Sequence, residues 1–526
     1  MDYFYELIQC NTSEIRTIAP EIMVVATFLM ALIFDFTLSH HKRHGTGWLC
    51  ISGLAMALWL NLSQNCLFSR DLLDNQSAFS GMFFFDWFGT AFKTVLILGT
   101  MTALIVALHA KELHGKNHGE FYLLVLAVCA GGMFLCSASN LLMIYLSLES
   151  LSIVSYAMAG YLRRDRKSAE AGIKYVIYGA MASGIMIYGM SYLYGLTGTL
   201  NLYGDHGIVA ALSSWSRPES PMKDVPVAGL AAVLAMIFAG FLYKIAAAPF
   251  HYWSPDVYEG SPTTAAGFFS VVPKAAGFAA LIRFVVAIFP ADSAAVWRLD
   301  RDKFEIILTT ISVLTMCIGN LAALGQTNVK RMLAYSSIAH AGYMLAGLTV
   351  MSELKGPGGE AERLYGPAAI LFYLGAYFLM NLGAFLVLVA MENIFGGTDL
   401  RHMRGAIRRE PVLAVALCVF LFSLTGLPPF AGFMGKWFIV VELAKRARYG
   451  MIVWIGVNSV VSLYYYMRIA KAVAIDAPAE GPEPTEKTPF AYNFLAICKS
   501  AALLLLFIYS EPIISACKHA FATMGK

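Results

Sequence analysis

Four ionisable side chains interrupt long apolar runs of this chain. They are Glu149 in LMIYLSLESLSIVSY, Lys244 in FAGFLYKIAAAPFHYW, Lys274 in SVVPKAAGF and Lys436 in SLTGLPPFAGFMGKWF. A charge at the centre of a bilayer costs about 2.5–3.5 kcal/mol on insertion scales, so such residues persist only when they are paired, hydrated or neutralised. One carboxyl group and several amines in apolar surroundings therefore indicate groups that take up and release protons.

Two weaker candidates extend this set. Lys174 lies near the start of an apolar run, so its side chain could equally well reach the water interface. His340 lies inside the run AYSSIAHAGYML. An imidazole suits a proton relay, although a lone buried histidine often serves only as a hydrogen-bonding group. For all six residues the structural alternatives are helix capping, ion pairing or snorkelling. Packing or snorkelling is the expected role of four further charges, Asp35, Lys93, Arg283 and Lys499.

The composition identifies the setting of these residues as a membrane. Of 526 residues, 58% are hydrophobic and only 14% are charged, whereas an ordinary soluble domain carries about 25% charged residues. The mean hydropathy is +0.64. These values exclude a soluble enzyme, a disordered chain and a nucleic-acid-binding domain. The nine cysteines form no CxxC or Cys/His spacing, so we expect neither zinc nor an iron–sulfur cluster in this chain.

A transmembrane helix needs about 20 mostly apolar residues, and fourteen segments meet that need. They are Ile18–Leu38, Gly47–Leu62, Phe83–Leu108, Phe121–Ser137, Leu141–Leu162, Ala169–Leu196, Val225–Phe250, Ser261–Phe289, Phe304–Leu324, Met332–Val350, Tyr365–Met391, Val412–Val441, Tyr449–Ala474 and Phe490–Ile514. The polar segments between them are short, the longest being Thr197–Asp224, Ser352–Leu364 and Asp476–Thr488. We therefore predict an all-α polytopic protein in which residues 1–526 form one membrane domain.

Basic residues predict the orientation of the chain. They concentrate after the first, third and fifth spans, at Lys42, Arg43, Lys111, Lys116, Arg163, Arg164, Arg166 and Lys167. Because cytoplasmic loops carry an excess of lysine and arginine, the N-terminus is expected outside, and with fourteen spans the C-terminus lies outside too. The later loops are mixed in this respect.

Two spans carry both a lysine and a helix-breaking proline. Pro249 follows Lys244 in the seventh span, and Pro428-Pro429 precedes Lys436 in the twelfth. A broken helix frees backbone carbonyl groups and leaves half-helix dipole ends, which suit ion sites. The two spans are five apart, and since five is odd, two five-helix units would face opposite ways. The pattern thus indicates an inverted repeat around an H⁺ or Na⁺ path.

These residues also carry a resemblance to a known family. The segments His251–Phe278, Asn328–Leu345 and Ser423–Trp437 resemble the antiporter-like, proton-translocating subunits of respiratory complex I. The variants PDVYEG and VVPKAAGF look most like the subunit N type, the counterpart of mitochondrial NADH dehydrogenase subunit 2. The resemblance extends over about Pro20 to Ile514.

The resemblance implies an architecture and a set of functional residues. It implies fourteen helices, with residues 121–289 and 304–474 as two inverted five-helix repeats and residues 490–514 as a C-terminal helix. Spans seven and twelve are the broken ones. Glu149, Lys174, Lys244, Lys274 and Lys436 each match a family residue, and these side chains would exchange protons with water-filled half-channels. His340 is added to this relay from its position alone.

The resemblance also implies partners and a location. NADH, FMN, iron–sulfur clusters and quinone are expected in partner subunits, and this chain is expected to hold no cofactor. Quinone reduction in those subunits would drive transport of H⁺. The partners would be other membrane subunits of complex I, including neighbouring antiporter-like subunits, and the lipid bilayer of a bacterial plasma (inner) membrane. No nucleic acid is expected.

Three other functions remain open at this stage. A subunit of a multisubunit cation/proton antiporter or of a membrane-bound hydrogenase would support sodium-dependent transport without NADH oxidation. A stand-alone transporter of a small solute would act as a purified chain. A purely structural scaffold would tolerate replacement of the buried lysines without loss of pumping.

Overall fold

The protein is described from a computed structural model. The described residues are 14–37, 44–67, 76–113, 118–204, 206–213, 226–289, 301–350, 353–355, 361–363, 365–478, 488–522 and 524. The predicted linker Asp476–Thr488 and the predicted polar segments Thr197–Asp224 and Ser352–Leu364 lie partly outside them.

Helices account for nearly all of the described structure. Following the order of the predicted spans, they are α1 (Ala19–Thr37), α2 (His44–Leu67), α3 (Trp87–Leu108), α4 (His118–Ser137), α5 (Leu141–Ala159), α6 (Arg166–Thr197), α7a (Val227–Ile245), α7b (Trp253–Gly260), α8 (Thr263–Ile288), α9 (Arg301–Leu324), α10 (Val329–Leu348), α11 (Gly366–Phe395), α12a (Pro411–Thr425), α12b (Ala431–Lys445), α13 (Tyr449–Ala474), α14 (Phe490–Ile508) and α15 (Ser510–Ala522). A further short helix is Ile208–Ser213.

The predicted all-α membrane fold is confirmed. Twelve helices in the described part of the chain are long and apolar enough to cross a membrane. The two remaining predicted spans differ from these for physical reasons. Helix α10 has 20 residues, but it begins Val-Lys-Arg and carries many polar side chains. The twelfth span is divided into α12a and α12b, each of 15 residues.

Three predicted span boundaries are wrong, and local backbone chemistry explains two of them. Residues Phe83–Phe85 form a strand, and α3 begins only after Asp86, whose carboxylate accepts from the Gly89 amide at 2.7 Å as a helix N-cap. The first half-helix of the seventh span, α7a, ends at Ile245 and not at the predicted Phe250. The fourteenth ends at Ile508, and α15 then begins, with its proline at an N-terminal position that a helix tolerates.

The described residues also form two antiparallel hairpins and three short 3-10 helices, Lys111–Leu113, Leu400–Met403 and Ala406–Arg408. Strand β1 (Gln76–Ala78) pairs with β2 (Phe83–Phe85), and β3 (Glu353–Lys355) pairs with β4 (Ala361–Arg363). The sequence analysis did not anticipate either hairpin.

Helices α8 and α11 form the centre of the bundle. Both are buried along nearly their whole lengths, whereas α1, α13 and α14 leave most of their apolar surface exposed. Helix α8 packs against α3, α4, α7a and α11, and α11 packs against α10, α12a, α12b and α14. Lys244, Lys274 and Lys436 therefore lie on α8 or on helices packed against α8 or α11.

Candidate functional site

Lys244 lies in the last turn of α7a, next to the break in the seventh span. Its side chain is 1% exposed, and its ammonium group donates to the Ser152 hydroxyl on α5 at 3.0 Å. The helix ends there because Ala246 adopts a left-handed conformation with φ 58°. A cation at this place lies at a helix C-terminus, where the unpaired carbonyl groups carry partial negative charge.

Glu149 lies on α5 one turn before Ser152, on the same side of the helix as the serine. The carboxyl group is half-buried, one of its oxygens has no hydrogen-bond donor among the described residues, and its charge acts on Lys244 through space. The two residues are not in direct ion-pair contact. The Ser152 hydroxyl accepts from Lys244 and donates to the Leu148 carbonyl at 2.6 Å.

Lys274 lies in the middle of α8, immediately after Pro273. It is 1% exposed, and its ammonium group donates to the Ser337 carbonyl at 3.0 Å and to the Ser337 hydroxyl at 2.5 Å. The same hydroxyl accepts from the Tyr377 phenol at 2.8 Å. Ser337 on α10 thus joins the lysine of α8 to a tyrosine of α11.

His340 lies one turn after Ser337 on α10 and contacts two phenols. Its Nδ1 is 2.6 Å from the Tyr373 hydroxyl, and its Nε2 is 3.1 Å from the Tyr466 hydroxyl. Tyr466 also bonds the Ser336 hydroxyl. Since an imidazole has one donor and one acceptor nitrogen when neutral, His340 suits the transfer of a proton between its two neighbours.

Lys436 belongs to α12b and points back to the end of α12a. Its ammonium group donates to the carbonyl of Thr425 at 2.8 Å and to the Ser459 hydroxyl at 3.1 Å. It also lies 4.5 Å from the centre of the Tyr343 ring, which is one turn beyond His340 on α10. The break frees the carbonyl groups of α12a, and the lysine occupies their negative dipole end.

The two broken spans therefore place their lysines alike, although the lysine precedes the proline in one and follows it in the other. Lys244 is itself in the last turn of α7a, and Lys436 reaches the last turn of α12a from the second half-helix. Both lysines therefore lie beside the C-terminal end of a first half-helix, Lys244 by its place in the chain and Lys436 by its ammonium group. The inverted-repeat relation between residues 121–289 and 304–474 stays a prediction.

Lys244 also lies close to the helix that carries Lys274. A side-chain carbon placed on Gly277 would lie 3.2 Å from the Lys244 Cγ and 3.1 Å from Ile245. Gly277 is one turn beyond Lys274 on α8. The absence of a side chain at Gly277 thus lets α7a approach α8 at the height of the two lysines.

No carboxylate forms an ion pair with Lys244, Lys274 or Lys436 within the described ranges; the partners are hydroxyl and carbonyl oxygens. A fixed positive charge in such surroundings would carry a large desolvation cost without a counter-charge. These amines can avoid that cost by releasing a proton, so the geometry suits lysines that alternate between charged and neutral forms.

The other sequence-derived candidates lie elsewhere. Lys174 is 36% exposed and pairs with Glu170 and Asp256, so it stands outside the buried line. Lys93 does not snorkel, because it is 2% exposed and pairs with the fully buried Glu21 at 2.6 Å.

Arg283 and Lys499 are buried as well. Arg283 forms a bidentate pair with Asp86, at 2.8 and 3.0 Å, and therefore does not reach the interface. Lys499 packs over the Phe378 ring at 3.8 Å, as a packing role requires. Asp35 takes part in an interaction within the fold. Lys93, Arg283 and Lys499 thus belong to the packing of the bundle.

Comparison with known proteins identifies the family. A family described as "NADH:quinone oxidoreductase/Mrp antiporter, TM" matches residues 138–462. NADH-quinone oxidoreductase subunit N of Anaeromyxobacter sp. is 38% identical over 527 residues, which is 98% of each chain. NADH-quinone oxidoreductase subunit N 2 of Sorangium cellulosum is 39% identical over 512 residues, which is 96% of each chain. The chain belongs to the subunit N family of NADH-quinone oxidoreductases.

Solved structures agree with the subunit N assignment. A chain of respiratory complex I from Thermus thermophilus with bound aureothin has a TM-score of 0.74 and 31% identity, and the match covers 95% of this chain and 99% of that one. A chain of an archaeal membrane-bound sulfane sulfur reductase has a TM-score of 0.82 at 18% identity, which shows a shared fold alone. This subunit N family member is thus a multi-pass membrane protein of the antiporter-like fold.

The segment matched by the family contains all six site residues predicted from the sequence. The described residues of this subunit N family member hold no group of histidine, cysteine, aspartate and glutamate side chains that could bind a metal ion. Sequence reasoning missed the uncharged members of the site, which are Ser152, Ser337, Tyr373, Tyr377 and Tyr466. The three-residue spacing of Ser, His and Tyr in YSSIAHAGY was the available signal, because it places them on one helix face.

Proposed function

We propose that this chain is the proton-translocating membrane subunit of an NADH:quinone oxidoreductase. The observation that carries the proposal is the face of α10, where Ser337, His340 and Tyr343 follow each other at one-turn intervals. These three side chains contact Lys274, two tyrosines and Lys436 in turn. A line of titratable and hydroxyl-bearing groups across the middle of a membrane helix bundle supports movement of protons.

In this proposal Glu149, Lys244, Lys274, His340 and Lys436 hold the proton in succession. A proton on one site disfavours a proton on the next, because the electrostatic interaction is strong where the surroundings exclude water. Binding of a proton at one end of this line of residues then favours release of a proton at the other end. Quinone reduction in partner subunits supplies the drive, and NADH, FMN, iron–sulfur clusters and quinone belong to those subunits.

The location and orientation are part of the same proposal. Other membrane subunits of the complex, including antiporter-like ones, would surround the chain in a bacterial plasma membrane. The basic residues in the loops after spans one, three and five support an outer location for the N-terminus, and the even number of predicted spans supports the same for the C-terminus. A cysteine introduced near each terminus, labelled from outside by a membrane-impermeant maleimide, tests this; labelling only from inside would reverse the orientation.

The experiment on function uses the assembled complex in inverted membrane vesicles. NADH oxidation and proton uptake are measured for Glu149→Gln and Lys244→Met, with Lys471→Met as a matched control on an exposed lysine of α13. Proton-transfer groups contribute about 10²–10⁴ in rate, so we expect coupled pumping to fall about tenfold or more in the first two variants only. Full pumping by both would contradict the proposal, and Na⁺ transport without NADH oxidation would favour the antiporter.

A further inference from the structure

Six charged side chains of alternating sign form a continuous chain at one end of α6, α7b and α10. The order is Glu170, Lys174, Asp256, Arg331, Glu259, Lys167, and the successive distances are 2.7, 2.7, 3.0, 2.9 and 3.0 Å. These six residues line a cleft of about 120 Å³ together with Ala171 and Gly260. We refer to the six residues as the charge chain.

The charge chain is more than a set of isolated surface pairs. Isolated exposed pairs contribute little to stability, but a network with shared partners is an exception. Asp256 and Arg331 each form ion pairs with two residues of opposite charge, and their side chains are only 32% and 31% exposed. The more exposed members, Glu170 and Lys167, are the two ends.

The element that the charge chain holds is α7b, the second half of the broken seventh span. It has 8 residues, and no side chain caps its N-terminus. A helix of this length has no stability of its own in isolation. Asp256 and Glu259 lie on its outer side and connect it to α6 of the first predicted repeat and to α10 of the second. The position of α7b therefore depends on its neighbours.

The inner side of α7b contacts the residue next to Lys244 on α7a and an aromatic ring of α6. The Trp253 indole donates to the Tyr243 carbonyl at 3.0 Å, and Tyr243 is adjacent to Lys244 in the chain. Trp253 also stacks on Tyr175, with 4.4 Å between the ring centres and 13° between the ring planes. Tyr175 directly follows Lys174 on α6. The same stretch of α6 thus holds α7b from outside by charge and from inside by stacking.

Gly260 allows this close contact at the end of α7b. A side-chain carbon at that position would lie 2.4 Å from the Lys167 carbonyl oxygen and 2.8 Å from the Ala171 side chain. Helices α6 and α7b therefore approach as closely as their backbones permit beside the cleft. The charge chain lies next to this helix–helix contact, along the cleft.

We propose that Lys174 is a positioning residue instead of a proton carrier. Together with Asp256 and Arg331 it fixes α7b, and α7b in turn fixes the Tyr243–Lys244 end of α7a. The inference rests on the proposed function, since it assigns Lys174 a role toward the Lys244 site. It also explains why Lys174, alone among the matched lysines, lies partly exposed and paired with carboxylates.

Arginine distinguishes the two roles, because it forms the same ion pairs but keeps its proton at every accessible pH. The test measures coupled proton pumping, normalised to assembled complex, for Lys174→Arg, Lys174→Met and Asp256→Asn. Lys244→Arg and Lys244→Met serve as the carrier comparison. We expect Lys174→Arg to pump near the wild-type rate, whereas Lys174→Met and Asp256→Asn fall about two- to fivefold, the range that one ion pair of this kind supports. The double variant Lys174→Met with Asp256→Asn should lose less than the sum of the two single losses, because the two residues share one ion pair.

Hydrogen exchange gives an independent readout of the position of α7b. Amides of residues 253–260 should exchange about two- to fivefold faster in Lys174→Met and in Asp256→Asn than in the wild type or Lys174→Arg. Loss of pumping in Lys174→Arg equal to that in Lys174→Met would overturn the inference, as would full pumping and unchanged exchange in Lys174→Met. Normal pumping by both Lys244 variants would contradict the proposed proton relay, and it would do so independently of the results for Lys174.

Discussion

Lys274 and Ser337 share two hydrogen bonds, one to the serine carbonyl at 3.0 Å and one to its hydroxyl at 2.5 Å. The hydroxyl is also the acceptor of the Tyr377 phenol. A side chain without charge is thus the branching point between three helices at the centre of the bundle. Its loss should disturb proton movement while Lys274 keeps its bond to the Ser337 carbonyl.

Replacement of Ser337 by alanine tests this connection. The change removes the hydroxyl acceptor of Lys274 and Tyr377 while the carbonyl acceptor remains. We expect coupled proton pumping to fall several-fold, with assembly retained, because one lost buried hydrogen bond costs only about 0.5–1.5 kcal/mol. Ser312→Ala is the control, since Ser312 is equally buried but its hydroxyl, among the described residues, bonds the Gly342 carbonyl and neither a lysine nor a tyrosine. Equal pumping by the two variants would remove the hydroxyl from the path.

The sequence specified the fold well where long apolar runs determine it. Spans such as Leu141–Leu162 were found within a few residues because a bilayer demands about 20 apolar residues in a row. It failed where a single polar contact decides a helix end, as at Asp86. The sequence predicted Met332–Val350 as an ordinary span. It gave no sign that neighbouring helices would bury nearly every residue of α10, including its polar ones.

The candidate site was predictable for its charged members alone. Lys244 and Lys274 stand out because a charge in an apolar run is expensive. Tyr466 and Tyr373 do not stand out, because tyrosines are common in the spans and only tertiary packing brings two of them to His340. The Glu21–Lys93 pair was missed for a similar reason: the two residues lie on different helices, and the sequence does not show which helices meet.

Gly426 ends α12a with φ +87° beside the lysine of the second broken span. Alanine there would pay the left-handed backbone cost of about 1–2 kcal/mol and would also place a carbon 3.1 Å from the Lys436 side chain. We expect Gly426→Ala to lower pumping more than Gly396→Ala. Gly396 has φ +74° and no atom within 4 Å of an added carbon, so it carries the backbone cost alone. Equal losses in the two variants would show that displacement of Lys436 is harmless.

Glu21 and Lys93 form a buried ion pair. We expect removal of one partner to destabilise the protein more than removal of both. Lys93→Met leaves a fully buried carboxylate without its counter-charge, and breaking such a pair costs about 3–5 kcal/mol. The double variant Glu21→Gln with Lys93→Met removes both charges, so it should recover most of that loss. The measurement is the amount and thermal unfolding midpoint of the assembled complex.

Pumping per assembled complex should stay near the wild-type value in this double variant, because the pair joins α1 to α3 and lies outside the line of relay residues. A fully assembled double variant with a large pumping defect would instead give the pair a part in transport. A single variant as stable as the wild type would contradict the burial argument.

The two ring nitrogens of His340 contact different tyrosines. We therefore expect replacements of His340 and Tyr466 to have coupled effects on proton pumping. His340→Gln removes the group that changes protonation, and Tyr466→Phe removes the hydroxyl 3.1 Å from Nε2. If the two residues act as one unit, the double variant should pump no more slowly than His340→Gln alone, since residues that act together have non-additive effects on rate. Tyr464→Phe on the same helix is the control, because that ring is 61% exposed. Additive losses, with each variant assembled in full, would mean that Tyr466 supports pumping by a route that does not pass through His340.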